Sequence, residues 1–341
     1  MIRLACGIAA FLVPTLAPAG IDLVLPTDNR ALFEGGGPAF YQYVERNFQG
    51  AKSRPWQGGQ YGFVRNPVEW GGGLVLTRFH EGVDIRPVKR GPDSAPLDVV
   101  RAVSAGRVAH VSQDPRLSNY GRLVVIEHPW DGATYYSLYA HLRTVEVSPG
   151  SAVSAGQSLG IMGWTGDGID ITRAHLHLEI GLRLSDRFDE WHAACFPSDP
   201  NRHGLWNGLN LVGFDVAAFY LAHRNNPNLT VPAFLAAQPV AYRARVPASP
   251  NLSIVRRYPW LVRPGAAPGT VASWEIAFTA SGVPVSATPS PVPVPGPVAT
   301  WAAPPRSTLL HATRGQVTGT TTAPRLTEAG LRNLALLTYP N

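Results

Sequence analysis

From Tyr61 to Arg183 the chain is a series of short β-type runs cut by glycine: "LDVVRAVSAGRVAHV", "GRLVVIEHP", "TYYSLYAHL", "GQSLGIMGWTG" and "AHLHLEIGL". Short runs of β-branched, aromatic and aliphatic residues bounded by turn formers read as strands, and glycine at this spacing leaves room only for brief connections. The stretch therefore predicts a compact antiparallel β domain with many turns and little helix. Composition points the same way: 45% apolar and 15% charged residues, with 34 Gly and 32 Pro, describe a folded, loop-rich chain and exclude a disordered one.

At 341 residues the chain exceeds one domain of about 100–200 residues. The opening "MIRLACGIAAFLVPTLAPAG" has one basic residue, Arg3, an apolar stretch to Leu16 and Ala17-Pro18-Ala19 before Gly20. That layout predicts a secretory signal over 1–19, cleaved after Ala19, and it is too short for a membrane span. Cys6 sits ahead of most of the apolar stretch, so it leaves with the signal rather than anchoring a lipoprotein. The mature chain then keeps Cys195 alone and forms no internal disulfide, although its expected destination is the periplasm or the exterior. No later run is long and apolar enough to span a bilayer, so no transmembrane segment is expected after cleavage.

A helical segment is expected over 20–60, because Phe40, Tyr43, Val44 and Phe48 follow Pro38 at helical spacing. The β domain takes 61–183 and a helical extension 184–237, with a helix from about Phe214 in "GFDVAAFYLAHRN". Residues 238–341 are expected to form a small β accessory domain. There "TVASWEIAFTA" alternates as a half-buried strand, and "VPVSATPSPVPVPGPV" is too proline-rich for a central strand and reads as a linker or edge loop. "LTEAGLRNLALL" reads as a closing helix capped by Thr327. The net charge of +6 is almost all arginine, since Lys52 and Lys89 are the only lysines. These charges are scattered, which argues against nucleic acid and suits an anionic wall polymer or plain solubility.

In a strand, His175 and His177 of "RAHLHLEI" point to one face about 6.5–7 Å apart along the backbone. A second element, "FHEGVDI", places His80 four residues before Asp84. Extended, those side chains would be about 13 Å apart, but Gly82 permits a bend that brings them together. Either pattern alone is common by chance. Together in a β domain they supply nitrogen and oxygen ligands for zinc, at about 2.0–2.2 Å, and leave a fourth position open for water. His141 ends the aromatic run "YYSLYAHL", and an imidazole near such a centre, with its ordinary pKa of about 6.5, suits proton transfer.

"FHEGVDI", "YAHL" and "HLHLE", in that order, resemble the three signatures of the lysostaphin-type zinc metallopeptidases, which cut peptide bonds in bacterial peptidoglycan. "YGFVRNP" and "SNYGRLVVIEH" are also similar to runs of that family, and the resemblance covers Tyr61 to Arg183, about a third of the chain. It implies that His80, Asp84 and His177 bind one Zn2+ and that His141 and His175 are catalytic. It further implies a narrow groove on the β domain suited to peptidoglycan stem or bridge peptides. Two departures stand out. "PVKRGPDSAPLDV" is longer than the expected turn, and in "ITRAH" Thr172 is kept while Arg173 takes the place of a glycine, altering the groove rim.

The expected function is a secreted zinc metalloendopeptidase hydrolysing peptidoglycan crosslinks. A secreted metalloprotease acting on proteins is the alternative. A non-enzymatic peptidoglycan-binding regulator of another hydrolase is a further one, though such a protein would be expected to lose ligands. "GQSLGIMG" is similar to biotinyl and lipoyl carrier hairpins, but neither Lys52 nor Lys89 lies in it. Glu179 shares the face of His177 and is either a hydrogen-bond partner of a ligand or an exposed carboxylate. Tyr120 is a candidate for the groove lining; His110 and His128 read as structural, and His192, His203, His223 and His311 lie outside the constellation. The C-terminal third carries no functional motif.

Overall fold

The computed structural model describes residues 20–248 and 252–339; the expected signal peptide, its cleavage site and Cys6 lie outside them. The chain is mainly β, with 34% strand against 21% helix, as expected. Cys195 is a free thiol among the described residues.

The main sheet is antiparallel and runs in the order Ala152–Val153, Gly106–Ser112, Leu123–Trp130, Ala133–Ala140, Leu176–Arg183, Leu211–Gly213. Leu176–Arg183 is its keystone because both of its faces are buried. Leu176, Leu178, Ile180 and Leu182 are 0% exposed and join the large core with Val83, Ile85, Val124 and Phe219. Residues of the opposite parity, His177 and Glu179, face the other side, where a smaller apolar cluster of Leu123, Val125, Tyr136, Leu138, Ala140 and Leu211 lies. Along one edge this strand pairs with Ala133–Ala140. Along the other, its first half pairs with Val83–Ile85 and its second half with Leu211–Gly213.

Ahead of these strands stands a long hairpin, Gly62–Trp70 with Gly73–His80, whose two strands pair, among the described residues, only with each other. Gly71 and Gly72 turn it with φ of 58° and 77°, the left-handed pair that a two-residue hairpin loop requires. Its returning strand ends on His80.

The helix expected through Phe40 and Phe48 is a single turn, Gly37–Phe40. Beyond it Tyr41 bridges to Ile85, Gln42 N–H donates to Asp84 O at 2.8 Å and Arg86 N–H donates to Phe40 O at 2.8 Å. The open edge of Val83–Ile85 thus claims the backbone that a longer helix would have used. Phe40 at the end of the turn, and Tyr41 and Val44 from the extended chain after it, still reach buried positions.

The later helices form as the sequence suggests. Asp215 caps Val216–Asn225 by accepting from Ala218 N–H at 3.0 Å. Phe214, Phe219 and Phe234 pack together behind the sheet. In the C-terminal region four strands order as Pro284–Ser290, Ser273–Phe278, Tyr242–Pro247, Val298–Ala302. Half of the proline-rich run is therefore an edge strand rather than a linker or loop. At an edge the missing proline N–H deletes no ladder bond that the sheet needs. Thr327 caps the terminal helix Glu328–Thr338 through Gly330 N–H at 3.0 Å. One apolar core runs through both regions, and Tyr258 OH joins them by accepting from Arg183 N–H and donating to Thr134 O, each at 3.0 Å. No described helix is long and apolar enough to cross a membrane.

Candidate metal centre

Strand register brings the five sequence-selected side chains together. His177 sits opposite Asp84 on one side and Ala140 on the other, so the residue after Ala140, His141, arrives beside it. His141 turns the chain with φ of 63°, and its N–H donates to Tyr120 O at 2.9 Å. His80 reaches the same point from the hairpin across the Glu81-Gly82 bend. Gly82 is required there for space rather than for an unusual φ, since a Cβ would lie 2.4 Å from Leu178 O.

His80 Nε2, His177 Nδ1 and Asp84 Oδ1 form a nearly equilateral triangle with edges of 3.1, 3.0 and 3.1 Å. His80 Nδ1 lies 2.8 Å from Gln60 O, which can only accept, so that nitrogen carries the proton and Nε2 keeps its lone pair. His177 Nε2 likewise donates to Glu179 Oε1 at 2.8 Å, leaving the Nδ1 lone pair of the neutral ring free. Three buried acceptors are thus aimed at one point, an arrangement that is repulsive without positive charge at its centre. A tetrahedral zinc with bonds of about 2.0–2.1 Å places its ligand atoms about 3.3–3.4 Å apart, so a relaxation of a few tenths of an ångström admits the ion. The residues fit the group.

The electrostatics agree. Burial alone would raise Asp84, but His80, His175 and the Arg65 guanidinium, 2.6 Å from Oδ2, hold the carboxyl well below its usual range. His80 is pushed down by burial. Burial acts to lower His177, yet its hydrogen bonds to Asp84 and Glu179 lift it to about 10, so without a metal ion the ring takes up a proton that a bound cation would displace. Glu179, against its own burial, is held low by His177 and Tyr120.

His141 and His175 flank the triangle, with ring centroids 4.8 Å apart. Each donates Nδ1–H to a backbone carbonyl, Thr165 O at 2.9 Å and Arg173 O at 2.7 Å, so both present Nε2 to the site. His175 Nε2 lies 3.3 Å from Asp84 Oδ1. Burial, then the neighbouring imidazoles, depress His141 well below the ordinary histidine value and keep it neutral. The groove around them, about 530 Å³, is walled by Arg65, Asn119, Tyr120, Arg173, Asn207 and, from the C-terminal region, Arg314.

Glu179 is 3% exposed and bonds both His177 and, at 2.9 Å, Tyr120 OH, so it is a hydrogen-bond partner of His177 and not a surface carboxylate. Its i+2 parity with His177 was the signal. The Arg65 contact to Asp84 and the arrival of Arg314 had no such signal. His128 is structural, bonded to Ala105 O and Ser137 Oγ. His110 and His203 pair with each other beside the groove, and Ser118 Oγ completes that group.

The sequence model of Peptidase family M23 matches residues 78–188. A lipoprotein NlpD/LppB homolog of Pseudomonas aeruginosa is 41% identical over 114 residues, covering 32% of this chain and 33% of that protein. The peptidoglycan DD-endopeptidase ShyA of Vibrio cholerae is 40% identical over 78 residues, covering 23% of this chain and 16% of that protein. The chain thus spans a third or less of the length of these relatives. Among solved structures, the catalytic domain of the peptidase lysostaphin from Staphylococcus simulans aligns at 24% identity, covering 46% of this chain and 86% of that one, with a TM-score of 0.26. Motif order and family match agree that residues 78–188 of this chain are a domain of peptidase family M23, the family of the lysostaphin-type enzymes.

Proposed function

We propose that the protein is an exported zinc metalloendopeptidase that hydrolyses peptide crosslinks of peptidoglycan. The observation that carries this reading is the buried triangle of His80 Nε2, His177 Nδ1 and Asp84 Oδ1, with two further imidazoles turned toward it and an open groove in front. Zinc bound there would supply Lewis acidity to the scissile carbonyl and to the attacking water.

The chain's own residues do the rest. His141, held neutral, accepts the water's proton at Nε2, and Thr165 O fixes its ring by taking the Nδ1 proton. His175, its Nδ1–H anchored to Arg173 O, holds Nε2 at the site 3.3 Å from Asp84 Oδ1, where its protonated form would donate to the developing oxyanion. Glu179 and Gln60 O hold the ligand imidazoles in the tautomers that expose lone pairs. A complete ligand set favours an enzyme over a binding-only regulator, and the relative named as a peptidoglycan DD-endopeptidase favours wall peptides over protein substrates. Export follows from the expected signal at 1–19.

The test is digestion of purified peptidoglycan with mass spectrometry of the fragments, run with and without a chelator and with His177→Ala in parallel. New peptide termini should appear with wild type alone and vanish in both controls. Intact muropeptides beside a cleaved protein substrate would reject the wall assignment, and identical products from wild type and His177→Ala would reject the metal centre.

A further inference from the structure

We propose that Arg314, from the C-terminal accessory region, is a positioning residue for the metal centre: it holds the segment that carries His80. The inference rests on the metal-centre reading above and extends it to a region that has no motif of its own.

His80 needs outside support. Asp84 and His177 lie on strands knitted into the main sheet, whereas His80 ends a hairpin whose strands pair, among the described residues, only with each other. An isolated two-stranded ribbon is marginal in water. Among the described residues, the Nδ1 bond to Gln60 O alone steadies the imidazole from its far side.

Arg314 grips both neighbours of His80 with one guanidinium. Its Nη2 bonds Glu81 Oε1 at 2.5 Å, and its carbon stands 4.9 Å over the ring of Phe79. Nη1 is tied back to Ser281 O at 3.2 Å. From below, the Glu81-Gly82 backbone is packed so closely that a Cβ at Gly213 would lie 2.6 Å from Glu81 O. The bend is therefore clamped by the main sheet on one side and by Arg314 on the other.

The clamp is itself preset. Arg314 follows the short helix Leu309–Ala312 with φ of 52°, a left-handed conformation that is strained for a non-glycine residue. Neighbouring bonds hold it there: Gly315 N–H donates to Leu310 O at 2.8 Å, and Thr313 Oγ1 donates to Leu309 O at 2.7 Å while accepting from Val317 N–H at 3.0 Å. A planar guanidinium with three anchors suits this role. An ammonium can keep the Glu81 pair but neither lies flat on a ring nor reaches three ways.

The experiment measures zinc affinity of the full chain by competition with a chromophoric chelator, and the Co2+ absorption spectrum, for wild type, Arg314→Ala, Arg314→Lys, Glu81→Gln, the Arg314→Ala/Glu81→Gln pair and the exposed control Arg325→Ala. Arg314→Ala should weaken zinc by about tenfold or more and perturb the Co2+ spectrum. Arg314→Lys should recover part of that loss and Arg325→Ala should match wild type. The double variant should lose little beyond its worse single change. A folded Arg314→Ala with wild-type affinity and spectrum overturns the proposal. If Arg314→Ala does not fold, wild-type affinity in both Arg314→Lys and Glu81→Gln overturns it equally. Wild type that binds zinc yet leaves peptidoglycan intact would reject the hydrolase reading while the affinity comparison still decides Arg314. Wild type with no zinc affinity would remove both.

Discussion

The two histidines of the triangle offer different nitrogens to its centre, and the cause is one hydrogen bond each. His80 gives Nδ1–H to Gln60 O and His177 gives Nε2–H to Glu179. Glu179→Gln replaces a charged acceptor with a neutral one and frees the His177 tautomer. Zinc should loosen by about tenfold, with the melting temperature little changed, as chelator competition and thermal unfolding would show. An unchanged zinc constant would mean that Glu179 does not orient the ligand. Gly82→Ala tests the bend between His80 and Asp84. Its new Cβ would meet Leu178 O at 2.4 Å and Glu179 Cγ at 2.9 Å, so the turn must move. A loss of about 1–3 kcal/mol in denaturant unfolding, with weakened zinc binding, is expected. The five clustered side chains were legible because short motifs encode them. Arg65, 2.6 Å from Asp84, was not, because a lone arginine on a strand has no spacing that announces its partner.

At the scale of the element, Leu176–Arg183 separates stability from chemistry by parity. Leu178 is 0% exposed in the main core, and the adjacent Glu179 faces the site. Leu178→Ala should cost about 2–5 kcal/mol of unfolding free energy. Zinc affinity measured well below the melting transition should stay within a few-fold of wild type, the reverse of Glu179→Gln. If both substitutions moved both quantities equally, the two faces would not be independent. Parity was readable from "HLHLEIGL", and so was the antiparallel β domain around it. The helix through Phe48 misled because Phe40, Tyr43 and Val44 satisfy a helical period, while the open edge of Val83–Ile85, a tertiary feature, took Tyr41 and Gln42 into extended pairing. The strand Pro284–Ser290 was obscured in the same way: proline forbids a central strand, but only the finished sheet shows that this one lies at an edge.

For the whole molecule, acid should unfold the chain through a histidine remote from the metal centre. His128 is 0% exposed and closes a buried hydrogen-bonded chain of Ala105 O, its own ring, Ser137 Oγ, Tyr139 OH and Val103 N–H. Burial lowers its pKa to about 4, against an ordinary value of about 6.5 in the unfolded chain. Between those values the unfolded chain binds the extra proton and the folded one does not. Stability from this group is therefore intact above about pH 6.5, declines as pH falls, and is exhausted below about pH 4, a loss of about 3 kcal/mol. Half-buried His110, also depressed to about 4 by burial and by His203, adds a smaller, solvent-screened share in the same direction. Acid also protonates the clustered histidines and Asp84, so the measurement belongs in excess chelator, where denaturant unfolding at pH 7.5 and 4.5 compares wild type with His128→Gln. The variant should be less stable at pH 7.5, and the gap should close by about 2.5 kcal/mol at pH 4.5, because glutamine has no proton to gain. Parallel pH profiles would show that the buried imidazole is not what limits this fold in acid.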